Sequence, residues 1–272
     1  MSRWLITTLR LTAIVAGASL VSVIGLLAFR AVAPIETLRP ASSELGNYLQ
    51  TVGGIYAVLL AFVVFVVWNQ YDAARGHIDR ESTALIDLHR TASGLPIATR
   101  DAIQAGLRAY VNAVLHDEWP AMRGRDEATI SRVGERLDRV WIAIHSCLPA
   151  TECQYTIYGE VLSRFNDLTD VRTSRLTSSR QRIPLPMKIL LYAGAAIMVG
   201  SMYLMVFDPL WVHLTATAAL AGAIAHILFL ISDLDDPFAG RYTMASEPYQ
   251  RALAAFNRDT HLVDAVEPIN AA

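Results

Sequence analysis

At 272 residues, 53% apolar and 18% charged, with a formal net charge of −2 and a mean hydropathy of +0.34, the chain is too apolar for an ordinary globular enzyme. It is also too charged in its middle to lie wholly within a membrane. The balance of acids and bases, with no basic patch in the soluble segment, argues against a nucleic-acid partner.

Four windows, residues 11–29, 49–68, 187–207 and 210–231, are long and apolar enough to span a bilayer. The first segment, residues 1–48, holds the first span and an external loop. Arg3 and Arg10 ahead of an apolar run, with Ala31-Val32-Ala33 behind it, also fit a secretory signal. The length of the run, and Pro34 directly after the candidate cleavage bond, favour a retained span.

Residues 49–94 predict one unbroken helix. The span closes at Trp68, and the chain runs on without a proline into an amphipathic pattern that keeps Tyr71, Ala74, Ile78, Leu85 and Leu88 on one stripe. Within the span, Gly53, Ala57 and Ala61 recur at four-residue spacing and offer a close helix contact. A second row, Ile55, Leu59, Phe62 and Val66, is bulky and apolar. Such a row either faces lipid or, around an oligomeric axis, forms a constriction that gates by dewetting. Further on, His77 with Glu81 and Arg75 with Asp79 have the one-turn spacing of solvated ion pairs.

Residues 95–185 are helical by period. Pro96 opens a helix with Ile103, Leu107, Tyr110, Val111, Val114 and Leu115 on its apolar face, which Trp119-Pro120 is expected to stop. A third helix presents Ile130, Val133, Leu137, Val140, Trp141 and Ile144. A fourth presents Tyr158, Val161, Leu162, Phe165, Leu168 and Val171 and ends at Ile183-Pro184-Leu185-Pro186. These faces predict a cytoplasmic helical bundle that extends the second span. Cys147 and Cys153 flank a short loop and would pair in an oxidising compartment; in cytoplasm they are expected as free thiols, and their spacing lacks the pattern of a zinc site.

Residues 186–232 read as a hairpin of the third and fourth spans turning at Asp208-Pro209. Ala196 with Gly200, and the small residues around Gly222, predict close helix contacts. His213 and His226 are ionisable groups within the fourth span, with His226 near the face of Asp233. Each is either a functional group or a neutral ring bonded to a backbone carbonyl.

The last segment, residues 233–272, opens on Asp233-Leu234-Asp235-Asp236-Pro237-Phe238-Ala239-Gly240. Carboxylates at a helix C-terminus oppose the macrodipole. Asp233, Asp235 and Asp236 therefore call for a hard cation such as calcium or for arginines, unless the segment is a plain surface turn. A short helix over residues 248–258 and an unstructured end are expected to follow.

Arg75, Arg80, Arg175, Arg180, Arg182 and Lys188 flank the middle segment, and Arg3 and Arg10 the N-terminus. By the positive-inside rule the middle segment and both termini face the cytoplasm, as in a multi-pass protein of a bacterial inner membrane. There is no nucleophile elbow, phosphate loop, zinc-binding His-Glu-x-x-His pair or glycine-rich dinucleotide turn, so no enzyme is expected. An intramembrane enzyme using His226 with the terminal aspartates ranks last, for want of a nucleophile or metal-ligand spacing.

The stretch GGIYAVLLAFVVFVVWNQYDAAR, then ESTALIDLHRTASGLP, with a closing DLDDPFAG, resembles the bestrophin-like family of bacterial membrane proteins over nearly the whole chain after the first span. The resemblance implies an oligomeric ion channel with four spans per subunit and a pore-lining second helix. It would make Ile55, Leu59 and Phe62 constriction candidates, with Val66 on the same row, and Asp233, Asp235 and Asp236 a regulatory acidic clasp with calcium as its ligand. This second span departs from bestrophins in having no proline in its neck, and the acidic cluster is shorter than theirs. The expected fold is thus all-α: a four-span protein whose second span continues into a cytoplasmic bundle. Its expected partners are copies of itself, the lipid bilayer and inorganic ions. The competing expectation is a non-conducting scaffold or sensor that couples the membrane to that bundle.

Overall fold

The computed structural model describes residues 3–33, 35–40, 42–240 and 243–270, and side chains throughout these except at 3–7, 35, 37, 43 and 260–270. Among the described residues every regular element is helical. In chain order these are α1 (Arg3–Val32), α2 (Ser42–Thr91), α3 (Ile97–Ala113), α4 (Trp119–Gly124), α5 (Glu127–His145), α6 (Glu152–Arg180), α7 (Leu185–Leu204), α8 (Leu210–Leu234) and α9 (Glu247–Asn270), with a single turn at Ile35–Leu38 between α1 and α2. Four helical stretches are long and apolar enough to cross a membrane; they contain the first, second and fourth expected spans whole and the third in most of its length. Only the third span ends earlier than expected, at Leu204, where Met205 turns to extended backbone.

The column expected from residue 49 onward exists. α2 runs unbroken for 50 residues, about 75 Å at ~1.5 Å per residue. It serves two compact units: residues 1–69 with 182–235 form the first, and residues 70–181 with 236–272 the second.

In the first unit α1, α7, α8 and the opening half of α2 pack through small residues and hydrogen bonds to backbone. A Cβ at Gly222 of α8 would stand 2.8 Å from the Ser19 hydroxyl and 3.3 Å from Val15, both on α1. The same serine donates to the Ala218 carbonyl at 2.9 Å. The Tyr56 ring of α2 sits over Gly194 of α7, where any side chain would overlap it, and its hydroxyl donates to the Leu191 carbonyl at 2.8 Å. Tyr56, Leu60, Val63 and Val67 form the buried face of α2 here.

The second unit is a bundle of α3, α5, α6 and α9 with the latter part of α2. Its core includes Ile78, Leu85, Leu88, Ile103, Leu107, Ile144, Leu168 and Phe256. Asp126 and Thr151 cap α5 and α6 by accepting from the Thr129 and Gln154 amides. Pro96 and Pro184 occupy the N-caps of α3 and α7.

Two expectations are corrected. Trp119-Pro120 does not stop its helix: a π-turn at Val114–Glu118 leads straight into α4. Pro120 falls in the first turn of that new helix, where the missing N–H is no loss. α4 ends at Arg125, which takes the left-handed conformation at φ 58°. The C-terminal helix is also longer than residues 248–258, running from Glu247 to Asn270.

Candidate functional site

One face of α2 is covered by its own unit and the opposite face is not. At ~3.6 residues per turn, Ile55, Val58, Phe62 and Phe65 lie together on the side opposite Tyr56, Leu60, Val63 and Val67. Ile55 is 69% exposed and Phe62 57%. Leu59 and Val66 are half-buried along one edge of that stripe. Val58 and Phe65 are as open as Ile55 and were not singled out from spacing, because a row drawn at three- and four-residue steps from Ile55 passes through Leu59 instead. Of the small residues, Gly53 meets the Met198 methyl, Ala57 and Ala61 are exposed, and Gly222 packs on α1.

The acidic segment after α8 is neutralised by the protein's own donors. Asp235 is buried and accepts the Ile183 amide at 2.6 Å and the Lys188 ammonium at 2.7 Å. Asp236 accepts the Ala239 amide at 3.2 Å and meets Arg125 at 3.3 Å. Asp233 is buried as well. Among the described residues no three His, Cys, Asp or Glu side chains gather as ligands for a metal. With oxygens of Asp235 and Asp236 held by an ammonium, a guanidinium and two amides, this donor set does not fit a calcium site, which needs six or more free oxygens.

His213 is fully buried. Its Nε2 lies 2.8 Å from the Met202 carbonyl and its Nδ1 3.0 Å from the Arg30 guanidinium. Those partners assign a neutral ring that donates from Nε2 and accepts at Nδ1. His226 is exposed while Asp233, one face-repeat later, is buried. Cys147 is a buried free thiol and Cys153 an exposed one.

The second unit holds a site that spacing did not disclose. Arg175 of α6 is fully buried and donates to Glu81 of α2 through Nε at 2.6 Å and Nη2 at 3.2 Å. The same Nη2 reaches Glu118 at 3.1 Å, and Arg172 meets the other Glu118 oxygen at 2.7 Å. Tyr110 donates to Glu81 at 2.6 Å, and the Tyr249 ring lies 5.8 Å from the Arg175 guanidinium. Two carboxylates and two guanidiniums balance, and they come from α2, the π-turn and α6. Burial works against the charge on Arg175, but Glu81, Tyr249, Glu118 and Tyr110 outweigh it and hold its pKa well above the ordinary value. Tyr110 is pushed up by burial and then by Glu81.

The local ion pairs expected along α2 are therefore replaced. Glu81 turns inward to Arg175, leaving His77, and Asp79 binds Arg251 of α9 at 3.0 Å. A partner from another helix wins because it is buried with the carboxylate, whereas a one-turn pair on a wet surface gains little.

These features define an all-α membrane protein with four spans, the second prolonged as helix into a bundle with a charged core. The family model for the Bestrophin-like domain matches residues 16–249, and the chain belongs to that family. Its fold is that of solved structures of a bacterial Bestrophin homolog from Klebsiella pneumoniae. One single-residue variant superposes with a TM-score of 0.65 at 16% identity, covering 92% of this chain and 98% of that one. A second gives 0.63 at 13%, covering 92% and 99%. A further structure, described as a membrane protein, gives 0.63 at 14%, covering 93% and 98%. No curated protein matches the sequence.

Proposed function

We propose that this protein assembles as a homo-oligomer in a bacterial inner membrane and conducts inorganic ions along an axis lined by α2, with both termini in the cytoplasm. The observation that carries the reading is the stripe Ile55, Val58, Phe62 and Phe65, left uncovered on the face of α2 opposite its packing face. Gathered around an axis, this stripe is a hydrophobic constriction, with Leu59 and Val66 at its margin. Membership of the Bestrophin-like family and the shared fold support it. The reading needs no catalysis and no cofactor.

A non-conducting scaffold is the second reading, favoured by the Glu81–Arg175 pair, which locks the column into the bundle whether or not an ion passes. Reconstitution separates the two. Liposomes carrying the protein should leak ions, and Phe62→Ala should raise the flux severalfold by widening and wetting the neck. No flux from either form, with the oligomer intact, leaves the scaffold.

A further inference from the structure

Just beyond the apolar span, α2 and the start of α9 enclose a cavity of about 350 Å³. Its polar lining comes from Tyr71, Arg75, Asp79, Thr243, Glu247 and Arg251. The charges sum to zero but are not all used: Arg251 donates to Asp79 at 3.0 Å. Among the described residues, Arg75 and Glu247 form no hydrogen bond or ion pair, with each other or with any other group. One cavity thus keeps one unmatched guanidinium and one unmatched carboxylate. A simple anion would meet Arg75 but also Glu247 and Asp79, and a simple cation has the converse difficulty. A molecule carrying an oxyanion and an ammonium together satisfies both.

The place of the cavity along α2 says where such a molecule comes from. Tyr71 and Arg75 follow Trp68, the last residue of the apolar run, by about 4.5 and 10.5 Å of helix rise. Headgroups extend roughly 5–7 Å beyond the hydrocarbon on each side. Helical side chains lean toward their N-terminus, which on α2 is the membrane side, so the Arg75 guanidinium is carried back toward that layer. Trp68 and Tyr71 are the aromatic residues found at such a boundary.

We infer that this cavity binds the headgroup of a zwitterionic phospholipid with a primary ammonium, a phosphoethanolamine lipid, its phosphate on Arg75 and its ammonium on Glu247. A primary ammonium donates hydrogen bonds to a carboxylate, which a quaternary one does not. The inference needs the membrane placement of α2 but not ion conduction, so it stands or falls separately from the pore.

Native mass spectrometry of the full-length protein in detergent, with phosphatidylethanolamine or phosphatidylglycerol of identical acyl chains added, tests it. The ethanolamine lipid should be retained about tenfold more tightly. Glu247→Ala should abolish the preference, and Arg75→Ala should weaken retention of both lipids about equally, since the phosphate is common to them. Neither should lower the melting temperature, since both side chains are exposed, and exchanging the two charges (Arg75→Glu with Glu247→Arg) should restore the preference. Equal retention of the two lipids by the unaltered protein, an unchanged preference in Glu247→Ala, or undiminished retention of both lipids in Arg75→Ala overturns the site. Glycerophosphoethanolamine, the headgroup without its chains, distinguishes the sources: binding at least tenfold weaker than the intact lipid supports a lipid, and binding as tight overturns it in favour of a soluble zwitterion.

Discussion

Arg175 is a charged side chain with no exposed surface, and its value to the fold comes from what its loss would strand. Replacing it by Met keeps much of the volume but leaves Glu81 and Glu118 buried, with only Arg172 and Tyr110 to answer them. The expected cost is about 3–5 kcal/mol, read as a loss of thermal stability in detergent. Tyr110→Phe removes the hydroxyl that donates to Glu81 at 2.6 Å and accepts from Arg175 at 3.5 Å, and should cost about 1.5–3 kcal/mol.

His89 offers a test by pH. It is fully buried, stacks on Phe256 at 4.2 Å, and neither ring nitrogen has a hydrogen-bond partner among the described residues. Burial, then Arg108, pulls its pKa down to about 4; Asp259, 3.9 Å away, opposes this and Arg90 adds to it. The unfolded ring titrates near 6.5. As pH falls below that value the unfolded chain takes up the proton first, so the native state is fully stable above about pH 6.5 and loses ground down to pH 4. Below pH 4 both forms are protonated and the loss levels off. The loss is on the order of 3 kcal/mol, and thermal unfolding across this range should show a slope that His89→Phe flattens.

At the level of elements, close approach of helices in the first unit depends on particular glycines and not on small residues in general. Gly222→Leu would drive a side chain into Ser19 and Val15 of α1 and should cost about 1–3 kcal/mol. Gly200→Leu, on α7 with nothing within 4 Å of a Cβ, should leave the melting temperature unchanged.

The contrast also shows what was readable in advance. Helices with one apolar stripe, such as α3 with Ile103 and Leu107 or α5 with Ile130 and Val133, follow from period alone, because burial on one side is a local pattern. So does the absence of a break in α2, where no proline or glycine pair interrupts residues 55–91. The charged core was not readable: Glu81 and Arg175 are 94 residues apart, and in sequence each looks like an ordinary charge on an amphipathic helix. Spacing also paired Glu81 with the nearer His77. The run of aspartates was readable as needing compensation, but Lys188, Arg125 and two backbone amides had no local signature.

For the assembled molecule, the proposed axis makes a prediction about neighbours. Phe62→Cys should crosslink between copies under oxidation, whereas Leu60→Cys, buried within its own unit, should not. Gel mobility after crosslinking in native membranes checks both, and lipid-facing second spans would leave both uncrosslinked.

The unbroken length of α2 has one more consequence. Leu59 and Val66 stand about 40–60° around the rod from Phe62, at roughly 100° per residue. Like lobes on a camshaft, two sets of side chains share one shaft, and the angle of the shaft decides which set points forward. The shaft is one unbroken helix from Ser42 to Thr91, so no hinge in the backbone lies between one set of lobes and the other.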